Sequence, residues 1–257
     1  MSFAAAVAKS SAMADNDCRP PLGLLDGAAL FLDFDGTLVE LAETPAAIRV
    51  GAHLEPLLHR LHARLEGRLA IVSGRAIADL EKHLDCAALA VSGSHGLELR
   101  LGDGTSLPLS VPPGLAEAKA ATRAFAAGVP GLLVEEKPFG VALHYRQAPD
   151  AADAAEALMR DVAASTGLTL QLGKMVAELR PHGSDKGDAL KAFMREPEFA
   201  GARPVFVGDD LTDEHAFAAA AELGGGGVLV GPQRETAARW QLPGVGAVAE
   251  WLSEASL

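Results

Sequence analysis

The chain has 257 residues, 49% hydrophobic and 22% charged, with a formal net charge of −12. That length holds one large domain or two modest ones, and the composition is that of a soluble globular protein. The negative balance argues against nucleic acid or an anionic membrane as partner, and no apolar run reaches the ~18 residues of a membrane span.

Residues 1–20 read as a disordered tail. Phe3–Ala8 is too short for a signal-peptide core, lacks a basic leader and runs into Lys9. Ala28–Leu32 is a short apolar run ending in Asp33-Phe34-Asp35-Gly36-Thr37. It predicts a buried parallel strand whose C-terminal end presents chemistry, the edge where open α/β sheets place ligands. Residues 53–66 predict a helix, with Leu54, Leu57, Leu58, Leu61 and Leu65 on one face. A second strand ends in Ser73-Gly74-Arg75, a helix follows over 76–83, and a strand lies near 89–91. Strand and helix in alternation predict a doubly wound parallel sheet.

Gly102, Gly104, Pro108, Pro112, Pro113 and Gly114 then mark a boundary. Beyond it come a helix over 114–127, strands over 132–136 and 140–146, a helix over 150–165, and strands over 168–172 and 175–179. A helix and a hairpin, repeated, make a small α+β unit. The core resumes near 184, where Ser184 or Asp185 caps a helix reaching about Met194. The strand Val205–Val207 follows, and Gly224–Gly227 form a loop before the strand Val228–Val230. The expected fold is thus α/β: a doubly wound, Rossmann-like core over 21–108 and 184–257, with a smaller α+β cap inserted over 109–183. With aromatic residues at only 5%, the cores should be built from Ala, Leu and Val.

Four strand or helix ends carry unusual polar groups. Asp33 and Asp35 repel each other, so they suggest a nucleophile and an acid/base partner beside a cation, although an ordinary Asp-Gly turn has the same composition. Ser73 can donate to a phosphoryl oxygen or simply cap a helix. Lys186 stands in a helix first turn, where the dipole opposes it unless an anion lies there too; a solvated lysine is the plain alternative. Asp209, Asp210, Asp213 and Glu214 crowd one segment. Adjacent carboxylates at a strand end call for a cation, and oxygen-only ligands point to Mg²⁺.

In order along the chain, these four motifs resemble those of the haloacid dehalogenase (HAD) superfamily of aspartate-nucleophile phosphotransferases. The resemblance implies that Asp33 attacks phosphorus, that Asp35 serves as acid and then base, and that Ser73 and Lys186 hold phosphoryl oxygens. It implies Mg²⁺ bound by Asp33, Asp209 and the Asp35 carbonyl, with Asp210 or Asp213 in support, and Gly36, Thr37 and Arg75 against the substrate.

The insert alternates polar and apolar residues. Glu135 and Lys137, His144 and Arg146, and Lys174, Glu178 and Arg180 each share a strand face. A solvated sheet face explains such alternation; so does a polyol site, because sugar hydroxyls both donate and accept. Glu135-x-Lys137, His144-x-Arg146, Gly173 to Pro181, Gly93-Ser94-His95-Gly96 and the Gly208–Glu214 segment are similar to the signatures of the trehalose-6-phosphate phosphatase family. That narrower resemblance implies trehalose 6-phosphate as substrate, gripped by Glu178, the cap cations and their neighbours, with His95 nearby. A related sugar-phosphate phosphatase or phosphomutase is the alternative, and a non-catalytic sensor of the same ligand a further one. Cys18 and Cys86 lack metal-ligand company, which fits a reduced cytoplasmic setting. A monomer acting on a small molecule is expected.

Overall fold

The computed structural model describes residues 18–42, 48–107, 111–173, 175–181 and 185–257. Lys174, Ser184 and most of the expected N-terminal tail lie outside these. In chain order the first elements are β1 (Ala28–Leu32), α1 (Leu54–Arg64), β2 (Leu69–Val72), α2 (Ile77–Leu80), β3 (Ala90–Gly93) and β4 (Glu98–Arg100). There follow α3 (Leu115–Ala127), β5 (Leu133–Glu136), β6 (Val141–His144), α4 (Ala152–Thr166), β7 (Thr169–Gly173) and β8 (Val176–Arg180). The chain ends with α5 (Lys186–Phe193), β9 (Arg203–Gly208), α6 (Glu214–Glu222), β10 (Gly226–Val230), β11 (Trp240–Leu242) and α7 (Val245–Ala255).

These elements fall into two compact units, one up to Leu107 and from Asp185 on, the other Pro108–Ser184. The larger unit holds a sheet in the order β11-β10-β9-β1-β2-β3-β4, parallel except for β4 at its edge. All five residues of β1 are buried because helices cover both faces. On one face Leu30, Leu32, Val205 and Val207 meet Leu57, Leu58 and Leu61 of α1 and Trp251 and Leu252 of α7. On the other, Phe31 stacks on Phe199 at 5.7 Å, and Phe193 of α5 completes the cluster at 6.2 Å from Phe31. Most of the buried apolar residues are Leu, Ala and Val, as the composition suggests, and the few aromatic rings are concentrated in the core, where each buries a large area.

Other expectations shift for physical reasons. Gly226 and Gly227 belong to β10 rather than to a loop. A Cβ at Gly227 would stand 2.4 Å from the Phe217 ring, so glycine is there to let α6 approach the sheet. The helix expected over 76–83 is only α2, continued by tighter turns such as Lys82 N–H to the Asp79 carbonyl. The edge strand β4 and the closing pair β11 and α7 gave no separate signal. Cys18, within the expected tail, accepts a hydrogen bond from Gln241 N–H at 2.7 Å.

The smaller unit has an antiparallel sheet in the order β5-β6-β8-β7. Val141, Leu143, Ala177 and Leu179 face Leu115, Ala118, Ala155 and Met159 of α3 and α4. The register puts Glu135, Ala142, Glu178 and Gln171 in one cross-strand row on the opposite face.

Candidate active site

At the C-terminal end of β1, Asp33 N–H still donates to the Val207 carbonyl at 2.9 Å, so the backbone beneath its carboxylate is pinned. The chain then turns through Gly36 at φ +78°, where a Cβ would lie 2.1 Å from Asp209 Oδ2. Only glycine allows both that conformation and that approach. Asp185 caps α5, accepting from Gly187 N–H at 2.8 Å and Asp188 N–H at 2.9 Å. The cap aims Lys186 inward: its ammonium lies 2.8 Å from Asp33 Oδ1 and 2.6 Å from Asp213 Oδ1. The anions that justify a lysine in this first turn therefore include two side chains of the protein itself.

Three carboxylates share this buried ammonium's neighbourhood, and their ionisation shows the strain. Burial pushes the Asp33 carboxyl well above the usual range; Lys186 pulls it back and Asp213 opposes that pull. Burial and Asp213 push Asp209 up to about 6. Burial opposes the charge on Lys186, yet Asp33 and Asp213 raise its pKa above the lysine value. One oxygen from each of Asp33, Asp209 and Asp213 lies within 4.8 Å of the others. Asp209 Oδ1 is buried without a hydrogen-bond partner among the described residues. An orphaned buried oxygen in an all-oxygen cluster with excess negative charge fits a hard divalent cation.

Asp35 is held by Arg75, whose Nε and Nη2 donate to its two oxygens at 2.7 and 3.0 Å. Nη1 of Arg75 donates to Asp79 at 2.8 Å. Asp79 was not singled out from sequence; it stands in α2 while Arg75 lies before the extended cap residue Ala76, so no helical spacing announced the pair. Ser73 is fully buried, and its Oγ accepts from Arg75 N–H at 3.1 Å. Thr37 is also fully buried, with no partner for its hydroxyl among the described residues. His95 adopts a left-handed conformation, φ +56°, and its N–H donates to the Ser73 carbonyl at 3.1 Å. A cleft of about 580 Å³ is lined by Asp33, Asp35, Arg75, Asp79, His95, Lys186, Asp209 and Asp210, among others. Ser73, Thr37 and Asp213 are not among its lining residues. Asp210 is exposed and its carboxylate caps the turn Leu211–Asp213, while Asp213 Oδ2 accepts from Asp210 N–H at 2.9 Å.

In the smaller unit Lys137 Nζ donates to Glu178 Oε2 at 2.7 Å, and His144 Nε2 lies 2.9 Å from Glu135 Oε2. Arg180 is on the same face, opposite Thr169. β6 ends at His144, but Tyr145 N–H still donates to its register partner, the Met175 carbonyl, at 3.1 Å, and the Tyr145 side chain is buried with Val141 and Leu143. Arg146, in the turn that follows, is exposed and lines a hollow of about 280 Å³ with His144, Leu133 and Met175.

A family model described as trehalose-phosphatase matches residues 31–245. A probable trehalose-phosphate phosphatase of Sinorhizobium fredii is 41% identical over 210 residues, 81% of this chain and 79% of the relative. The C-terminal domain of a Candida albicans trehalose-6-phosphate phosphatase superposes with a TM-score of 0.68 at 25% identity, covering 93% of this chain and 98% of that one. A Bacteroides thetaiotaomicron phosphatase of the haloalkanoate (HAD) superfamily shares the fold, with a TM-score of 0.63 at 17% identity, covering 95% and 97%.

Proposed function

The chain belongs to the trehalose-phosphatase family, and we propose that it hydrolyses trehalose 6-phosphate to trehalose and phosphate through a phosphorylated Asp33. The reading is supported above all by Asp33 at a strand end, 2.8 Å from a buried ammonium and clustered with Asp209 and Asp213. An Asp33 oxygen attacks phosphorus; the new P–O bond forms as the bond to the sugar oxygen breaks. Asp35 gives its proton to that leaving oxygen. It then takes a proton from the water that attacks phosphorus, and phosphate leaves as the Asp33 carboxylate is restored. Phosphoryl transfer needs positioning and charge neutralisation more than covalent chemistry. Lys186 supplies a fixed positive charge for this. Asp33, Asp209 and Asp213 would hold Mg²⁺, which supplies further neutralisation of the phosphoryl oxygens.

The Arg75 clamp orients Asp35 by engaging both of its oxygens, and Asp79 holds the other side of the guanidinium. Ser73 acts through the backbone of the 73–75 turn as well as through any phosphate contact. On the sheet of the smaller unit, the Lys137–Glu178 and His144–Glu135 pairs offer donors and acceptors matched to the hydroxyls of a disaccharide. We assign Glu178, Lys137, Glu135, His144, Arg146 and Arg180 to sugar recognition on that ground; Lys174, outside the described residues, joins them on the sequence resemblance alone. Among the described residues no helix is long and apolar enough to cross a membrane. The two cysteines are free, which supports a reducing, cytoplasmic setting.

Phosphate release from a panel of sugar phosphates, with Mg²⁺ and with chelator, tests the reading. Mg²⁺-dependent release selective for trehalose 6-phosphate is expected. Release spread evenly over the panel removes the substrate, and release undiminished by chelator removes the metal.

A further inference from the structure

The acid-rich loop after β9 has a support that the reaction itself does not require. Arg234, in the segment after β10, has a side chain only 23% exposed. Its Nη2 donates to the Asp210 carbonyl at 2.9 Å and, more weakly, to the Asp209 carbonyl at 3.4 Å. Its Nη1 is paired with the Glu214 carboxylate at the head of α6. The other oxygen of Glu214 accepts from Ala237 N–H at 2.7 Å and Thr236 Oγ1 at 3.2 Å. Thr236 Oγ1 in turn accepts from Ala238 N–H at 3.0 Å. The guanidinium thus joins three separate pieces of chain: the Asp209–Asp210 loop, the start of α6 and the 236–238 turn.

This wiring answers a problem set by the carboxylates. Asp209, Asp210 and Asp213 repel one another, and that repulsion favours a loop that opens. A side-chain brace on the Asp209 carboxylate would compete with a cation for the same oxygens. Arg234 holds the backbone carbonyls instead, so the loop is fixed while the Asp209 carboxylate is left available. Its fork of donors at fixed angles can engage carbonyls and a carboxylate together, which a lysine point charge cannot do.

We propose that Arg234 is a positioning residue for the divalent cation, holding the Asp209–Asp210 loop in its binding conformation, with Glu214 locking the guanidinium in place. The inference rests on the metal reading above and adds to it a residue that touches neither metal nor substrate. Outer partners of metal ligands contribute about 10–100-fold in affinity.

The test is direct titration of Mn²⁺, followed by its paramagnetic resonance signal, into wild-type protein, R234M, R234K and E214Q. Urea unfolding confirms that each is folded. R234M is expected to bind Mn²⁺ at least about tenfold more weakly, with R234K and E214Q intermediate. At saturating Mg²⁺ the KM for substrate should stay within about twofold of wild type, since a merely loosened fold would move both constants. Wild-type Mn²⁺ affinity in folded R234M overturns the proposal. If R234M fails to fold, wild-type affinity in both R234K and E214Q overturns it. Absence of Mn²⁺ binding by the wild-type protein would instead overturn the metal reading, and this inference with it.

Discussion

β1 and β8 show two ways of building a strand. β1, Ala28–Leu32, is buried at every position because helices cover both faces of its sheet. β8, Val176–Arg180, buries only Ala177 and Leu179, the residues that face α3 and α4. Where both faces are covered, any charge at the strand end needs a partner, so Asp33 and Lys186 come as a unit. Where one face is open, charges cost little, and Glu178 or Arg180 could serve solvent as readily as a ligand. The buried carboxylate cluster with its ammonium therefore stands in the larger unit, while the open face of the smaller one carries paired, partly exposed charges.

The comparison breaks most sharply at Asp33. Asp33→Asn should lower turnover by about 10⁴-fold or more, with circular dichroism unchanged. A near-normal rate would remove the nucleophile. Asp213→Ala should come next. It strips one of two carboxylate partners from a buried ammonium but relieves repulsion with Asp33 and Asp209, and should cost about 1–3 kcal/mol of stability in urea unfolding. A loss below about 1 kcal/mol would mean that water or Asp33 alone satisfies Lys186.

Glu178→Ala tests the open face. It should lower kcat/KM for trehalose 6-phosphate by about 10–100-fold, the value of one or two charge-assisted hydrogen bonds. With a small aryl phosphate the loss should stay within about threefold. Equal losses on both substrates would make Glu178 a structural partner of Lys137. The smallest effect belongs to Asp185→Ala, which removes the α5 cap and should cost about 1 kcal/mol, read as a modest fall in Tm, with Asp185→Asn close to wild type. An unchanged Tm would show that Lys186 is aimed by its carboxylate partners alone.

Much of this was legible in the chain. Two-sided burial produces continuous apolar runs, and Ala28–Leu32, Leu69–Val72 and Val205–Val207 stand out for that reason. One-sided burial produces alternation, which shows in β8. Both patterns are local, so sequence reports them. Short edge elements have no such pattern, and β4 and β11, of three residues each, went unseen. Gly226 and Gly227 were misread because a strand glycine required by an approaching ring resembles a loop glycine when the ring is out of view.

The sequence by itself determined the class of fold, the insertion of a second unit, and the carboxylates and cations from which a phosphatase site could be made, since each depends on the type and spacing of neighbouring residues. Only the tertiary structure decided which of them meet. It placed Asp213, not Asp210, in the buried oxygen cluster, bound Asp35 to Arg75 and Asp79, took Arg146 out of its strand, and brought Arg234 to the carbonyls of a loop more than twenty residues earlier. Those pairings follow from where separate strands and helices end in space, a consequence of packing that no single stretch of chain contains.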